Sequence, residues 1–172
     1  MAATPDPAAL LRELEARHQI HECLMRYCRG LDRLDPDLVA SAFHEDAVDR
    51  HSFATLEGAE SIARSLVERQ RTKYRQTMHG ILNEHVEVAG AVAHSETYWR
   101  ASMVAEQDGR EVLVEGAGRY VDRFERRAVG WRIASRVLVN EWSNWVPFSE
   151  PQSAPGNGAP PLRSRDDVSY RR

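Results

Sequence analysis

No apolar run in this 172-residue chain approaches the roughly 20 residues that a membrane-spanning helix needs. The stretch Met1 to Pro7 lacks a basic region followed by an apolar one, so no secretory leader is expected. Cysteine is scarce. Cys23 and Cys28 lie five apart in an expected helix, which puts them on different faces and argues against a disulfide. Their spacing does not fit a zinc site either, and a reducing, cytoplasmic setting is the expectation. Excess positive charge is missing: 23 Lys and Arg stand against 26 Asp and Glu, a net charge of −3, so bulk charge gives no reason to expect a nucleic-acid partner. Glycine-rich phosphate loops, Ser or Cys nucleophile motifs and internal repeats are all absent. What is present is ordinary globular material, 42% hydrophobic and 28% charged, enough for one domain with its own core.

The clearest element is a helix over Ala8 to Leu31. Leu14, Ile20, Leu24, Tyr27 and Leu31 recur at helical spacing, and Arg12, Glu13, Glu15, Arg17, Glu22 and Arg26 fill the other face. Gly30 and Pro36 read as stop signals. Asp35 as N-cap and Pro36 at the first helical position start a shorter helix running to about His44. A short strand over Glu45 to Phe53 and a third helix over Ala59 to Tyr74 follow. His44, Glu45 and Asp46 read as a solvated helix-end cluster, and Arg69, Arg71, Lys73 and Arg75 as an exposed helix face. From Gln76 the period becomes two, with Met78, Leu82, Val86 and Val88 on one side of the strand and His79, Ile81, Asn83 and His85 on the other. Long strands over Val92 to Glu106, Arg110 to Arg126 and Trp131 to Trp145 complete a meander, with a hairpin signal at Gln107-Asp108-Gly109. After Pro147 the prolines and glycines cannot sustain regular structure, and Trp142, Trp145 and Phe148 could anchor the start of this tail. Helices before a meander imply an α+β fold with helices on one face of a curved sheet and a cavity at its open end.

Three residues read against this plan carry possible chemistry. Tyr27 lies on the apolar stripe of the first helix, Asp32 follows at its end, and His79 begins the first long strand. A carboxylate on one imidazole nitrogen fixes the tautomer and raises the basicity of the other. A tyrosine hydroxyl could then donate to an oxygen gaining charge. The same residues also have structural readings: Asp as a turn residue, His as a satisfied strand residue, Tyr as core. His18 and His21 are close enough to share a metal, but no third ligand follows at good spacing, so no metal site is expected.

Three segments resemble the SnoaL-like branch of the nuclear transport factor 2-like superfamily. They are Arg26 to Asp32, Thr77 to Gly80, and Gly118 to Arg127 with Gly130 to Ile133. The likeness spans about Leu11 to Trp145. It implies a cone of strongly curved, antiparallel or mixed sheet with about three helices on it. A domain over 8–148 would then be followed by an arm or disordered tail over 149–172. Eliminating members of the family (scytalone dehydratase, bile-acid 7α-dehydratase, hexachlorocyclohexane dehydrochlorinase) use a His–Asp pair, and Asp32 and His79 stand where it falls. Tyr27 stands five residues before the Asp, as in the dehydratases, where the dehydrochlorinase has Lys. Arg136 matches an arginine that contacts the leaving group. The second tyrosine of the dehydratases is missing, and His51 occupies that region. Ser102 aligns near a middle-strand histidine, with Tyr98 and Arg100 before it on the same face.

The resemblance implies a cofactor-independent lyase of dehydratase type, acting on a small, mostly apolar cyclic carbonyl compound that is steroid-, terpenoid- or polyketide-like. His79 would be the base, Asp32 its orienting partner and Tyr27 a donor, with Arg136, His51, Tyr98, Arg100 and Ser102 around the substrate. An isomerase or polyketide cyclase would use the same first proton transfer, and a non-catalytic binding or assembly module shares the fold. A packed or an open cone discriminates between module and enzyme. The family also implies a homo-oligomer, trimer before dimer, while the charge balance and the lack of a long apolar run argue against nucleic-acid and membrane partners.

Overall fold

The computed structural model describes residues 6–148 and 158–171. Helix α1 (Pro7–Arg33) begins at Asp6, whose carboxylate accepts from the Ala8 N–H at 3.1 Å. Ala16, Ile20, Cys23, Leu24, Tyr27, Cys28 and Leu31 form its buried stripe, while Leu14 is exposed. Both cysteines are free and buried.

Gly30 does not stop this helix, which runs on to Arg33 and ends at Leu34 in the left-handed region, φ 52°. The glycine serves a close approach instead. A Cβ there would lie 2.6 Å from Val39 Cγ2 and 2.8 Å from Val39 N, in helix α2 (Pro36–Ala40). Asp35 caps α2 as expected, accepting from the Leu38 N–H at 3.2 Å. That helix is shorter than its sequence suggested, because Phe43 and His44 already belong to strand β1 (Phe43–His51). His44 is buried, with Nε2 2.8 Å from the Glu125 carbonyl, so it is not part of a solvated cluster. Strand β2 (Ala54–Glu57) turns back on β1 before helix α3 (Ala59–Lys73), which buries Ile62, Ala63, Leu66, Val67 and Gln70.

Four long strands follow: β3 (Gln76–Ala89), β4 (Val92–Gln107), β5 (Arg110–Arg127) and β6 (Gly130–Pro147). Asp108 and Gly109 both take positive φ, 52° and 73°, as a tight two-residue hairpin requires. The sheet order is β2-β1-β6-β5-β4-β3, antiparallel throughout except for the parallel β1–β6 pair. Register shifts interrupt pairing at Phe43/Val48, Ile81/Glu84, Ala117/Gly118 and Arg123/Phe124. Such bulges bend strands and increase twist, which curves the sheet around the helices. The shift between Ile81 and Glu84 also corrects the simple two-residue period expected of β3. Met78 and Leu82 are exposed, whereas Val86, of the same nominal parity, is buried. Among the described residues, no helix is long and apolar enough to cross a membrane.

Gly118 sits at one bulge where β5 and β6 come too close for a side chain. A Cβ there would lie 1.9 Å from the Val139 carbonyl oxygen and 3.0 Å from the Trp99 ring. Gly118→Ala must push backbone aside, and an overpacking cost of about 1–3 kcal/mol is expected. Urea denaturation checks this, and an unchanged midpoint would refute it.

Candidate active site

The end of α1 and the start of β3 bring Asp32 and His79 together. The Asp32 carboxylate accepts three hydrogen bonds: from the Thr77 hydroxyl (3.0 Å), the His79 backbone N–H (3.0 Å) and His79 Nδ1 (2.7 Å). Both side chains are mostly buried, 13% and 7% exposed. An ionised carboxylate can only accept, so Nδ1 carries the proton and Nε2 of the neutral ring is the basic nitrogen. The bulge at Ile81 comes after His79, so this start of β3 keeps its register against β4, with His79 opposite Ala101.

His79 lines a cavity of about 370 Å³ between the helices and the open end of the sheet. Tyr27, His51, Trp99, Tyr120, Trp142 and Trp145 also line it, with Arg69, Asn140 and Glu141 as polar points. The cone is open rather than packed shut, with a volume in the range of small-molecule sites. Burial holds the Tyr27 hydroxyl well above the usual phenol range, with the Arg136 guanidinium opposing, so Tyr27 is a neutral donor. Burial, with Arg69, Arg136 and His79 adding to it, pushes the His51 imidazole down to about 3. His51 is therefore neutral. Its Nδ1 accepts from the Ser52 N–H at 3.1 Å, which leaves Nε2–H as a donor.

Several cavity residues were not among the expected ones. Tyr120, Asn140 and Glu141 lie on strands whose facing depends on register, which the period alone could not supply. Arg69, expected on an exposed helix face, instead lines the cavity with its guanidinium 4.3 Å from the Phe53 ring centroid.

Four expected substrate contacts are corrected. Tyr98, Arg100 and Ser102 lie on the outer face of β4, because Trp99, Ala101 and Met103 take the inner one. On that outer face Arg100 pairs with Glu115 at 2.6 Å and Ser102 donates to the same carboxylate at 2.7 Å. The register differs by one residue from the expected alignment, which exchanges the faces.

Arg136 points inward but lies beneath the cavity wall, fully buried, with its guanidinium 4.3 Å from the Tyr27 ring centroid and 4.0 Å from that of Tyr120. Its Nε and Nη2 donate to Asp122 at 2.8 and 2.7 Å. It is thus engaged by a buried carboxylate, and substrate contact is not its role in this geometry.

Asp49 lies level with Arg136 on β1 and completes a buried row with Asp122. Among the described residues, both Asp49 carboxylate oxygens and Arg136 Nη1 have no hydrogen-bond partner. Burial raises the Asp49 carboxyl to about 6, with Arg136 opposing and Asp122 adding. A group raised in this way binds a proton on folding. Stability should therefore fall as pH rises from about 4 to about 6, and the penalty at neutral pH is roughly 3 kcal/mol. Asp49→Asn should remove that penalty, gaining stability above pH 6 and flattening the slope below it. Urea denaturation across pH 4–8 tests this, and parallel curves for the two proteins would refute it.

A family profile described as a SnoaL-like domain matches residues 12–137. No curated protein matches the sequence. Among solved structures, hexachlorocyclohexane dehydrochlorinase LinA-type3 from Novosphingobium barchaimii superposes with a TM-score of 0.69 at 19% identity, over 88% of this chain and 99% of that one. A candidate scytalone dehydratase from Novosphingobium aromaticivorans gives 0.65 at 20% identity, over 81% and 91%. A nuclear transport factor 2-like superfamily protein from Salmonella enterica gives 0.64 at 18% identity, over 84% and 99%. At these identities the likeness establishes the fold.

Proposed function

The chain belongs to the SnoaL-like family, and from that premise we propose that it is a cofactor-independent lyase. It removes water from a small, mostly apolar cyclic carbonyl compound. The observation that carries this reading is the 2.7 Å hydrogen bond from His79 Nδ1 to Asp32, on a histidine that lines an open, aromatic cavity. His79 Nε2 takes the proton from the carbon α to the carbonyl. Asp32 stabilises the resulting imidazolium. Tyr27 donates to the carbonyl oxygen as it gains charge. The C–O bond of the β-hydroxyl breaks, and the imidazolium returns its proton to the departing oxygen, giving water and an enone. Flat rings are favoured by the walls, since Trp99 and Tyr120 stack at 5.9 Å and 23°. Two of the fold neighbours are named for eliminations, a dehydrochlorination and a dehydration.

The test is a panel of cyclic β-hydroxyketones in deuterated water, followed by enone absorbance and by deuterium incorporation at the α-carbon. Enone formation lost in His79→Gln supports the reading. Deuterium incorporation without water loss would replace it with an isomerase or cyclase. Binding of panel members with neither exchange nor elimination would replace it with a binding module.

A further inference from the structure

The segment 158–171 lies beyond the matched family region, yet it packs against the turn that follows Asp32. Arg165 donates to Asp35 at 3.0 and 2.6 Å and to Asp37 at 2.7 Å. The Tyr170 hydroxyl donates to Asp35 at 2.9 Å, and Arg29 lies over the Tyr170 ring while donating to the Ser169 carbonyl at 3.0 Å. Arg33 pairs with Asp167 at 3.4 Å. Burial works against ionisation of Asp35, but Arg165, Tyr170 and the Leu38 N–H outweigh it and hold the carboxyl below its usual range. These contacts fix the segment where one more side chain, Arg163, reaches inward.

Arg163 donates to the Tyr74 carbonyl, to the Gln70 carbonyl at 3.2 Å and to the Thr77 hydroxyl oxygen at 3.3 Å. That hydroxyl has one proton. With its oxygen accepting from Arg163, the proton is directed at Asp32 Oδ1, 3.0 Å away, the same oxygen that accepts from His79 Nδ1. A directional chain results, running from Arg163 through Thr77 to Asp32 and meeting the imidazole there. The three acceptors of Arg163 come from the end of α3, the turn after it and the start of β3, so the guanidinium also ties together the backbone on either side of that turn.

We propose that Arg163 is a positioning residue for the Asp32–His79 pair, and that the C-terminal segment is thereby part of the site. This rests on the reading of that pair given above. Arg163 does not reach the cavity. It acts by fixing the Thr77 hydroxyl and by placing a cation behind the carboxylate, where the arrangement is partly shielded from water and each bond strengthens the next.

The experiment is proton NMR of the full chain, following the hydrogen-bonded His79 Nδ1–H, assigned by its loss in His79→Gln. Its exchange with solvent is measured in the parent, Arg163→Met, Arg163→Lys and Thr77→Val. Exchange at least about tenfold faster is expected in Arg163→Met and Thr77→Val, with partial recovery in Arg163→Lys, whose ammonium keeps the charge but not the planar fork. A purely structural role for Arg163 would lower the urea midpoint and leave this exchange rate alone, and that result overturns the proposal. Should Arg163→Met not fold, Thr77→Val carries the test, because it removes the hydroxyl and leaves the Arg165 clamp in place. A resonance present in the parent and unchanged in these variants defeats the role of Arg163 alone. Its absence from the parent defeats the pair itself and the proposal with it.

Discussion

Asp32→Asn lowers turnover by about 10²- to 10⁴-fold while the chain stays folded, the range expected when positioned proton transfer is lost. The physical reason lies in what the carboxylate does at 2.7 Å from His79 Nδ1. As an acceptor-only group it enforces one tautomer, and as an anion it offsets the charge that the ring acquires. An amide can turn its NH₂ toward the ring, so the tautomer is no longer fixed, and the counter-charge is gone. The His79 N–H keeps the amide oxygen, while the Thr77 hydroxyl, which donates to the other carboxylate oxygen, loses its acceptor, a cost of about 1 kcal/mol that leaves the chain folded. His79→Gln should cost at least as much, and the double variant little more than His79→Gln alone, because groups acting as a unit are not additive. Steady-state kinetics on whichever panel compound is turned over checks all three. Near-normal turnover in Asp32→Asn would end the proposed mechanism.

The pair was legible because both residues sit in segments with little freedom. Asp32 ends a long, strongly periodic helix, and His79 opens the first long strand, before any bulge disturbs the register. Tyr27 was legible for the same reason, being on the buried stripe five residues earlier. The middle strands were not. Alternation alone gives two faces without saying which is inner, and a one-residue difference exchanged Tyr98, Arg100 and Ser102 for Trp99, Ala101 and Met103. Arg136 was placed on the correct inner side, but its partner Asp122 lies on the neighbouring strand β5 at a distance that no local pattern encodes. The contacts of Arg163 and Arg165 were hidden by composition. Gly158, Pro160 and Pro161 argue against a strand or a long helix, but ion pairs to Asp35 and Asp37 need neither.

Asp122→Ala is the substitution expected to cost most stability. Arg136 is fully buried beneath Tyr27 and Tyr120, and Asp122 holds it bidentately in a place water does not reach. Removing one partner of such a pair leaves an uncompensated charge, a loss of about 3–5 kcal/mol. The buried row supplies its own internal control. Asp49 stands on the other side of Arg136 and is held at about 6 chiefly by burial, with Asp122 raising it further. Without Asp122 that repulsion disappears, and Asp49 becomes the nearest carboxylate able to neutralise Arg136. The cost of Asp122→Ala should therefore be largest at acid pH, where Asp49 is protonated, and shrink as pH rises through its titration. Asp122→Ala combined with Arg136→Met should be more stable than Asp122→Ala alone, because the stranded charge is gone. Adding Asp49→Asn to Asp122→Ala should abolish the recovery at high pH. Urea midpoints at constant slope across pH 4–8 read all of these. A cost for Asp122→Ala that does not vary with pH would mean that Asp49 does not share the Arg136 charge, and that the row is two strand neighbours rather than one electrostatic unit.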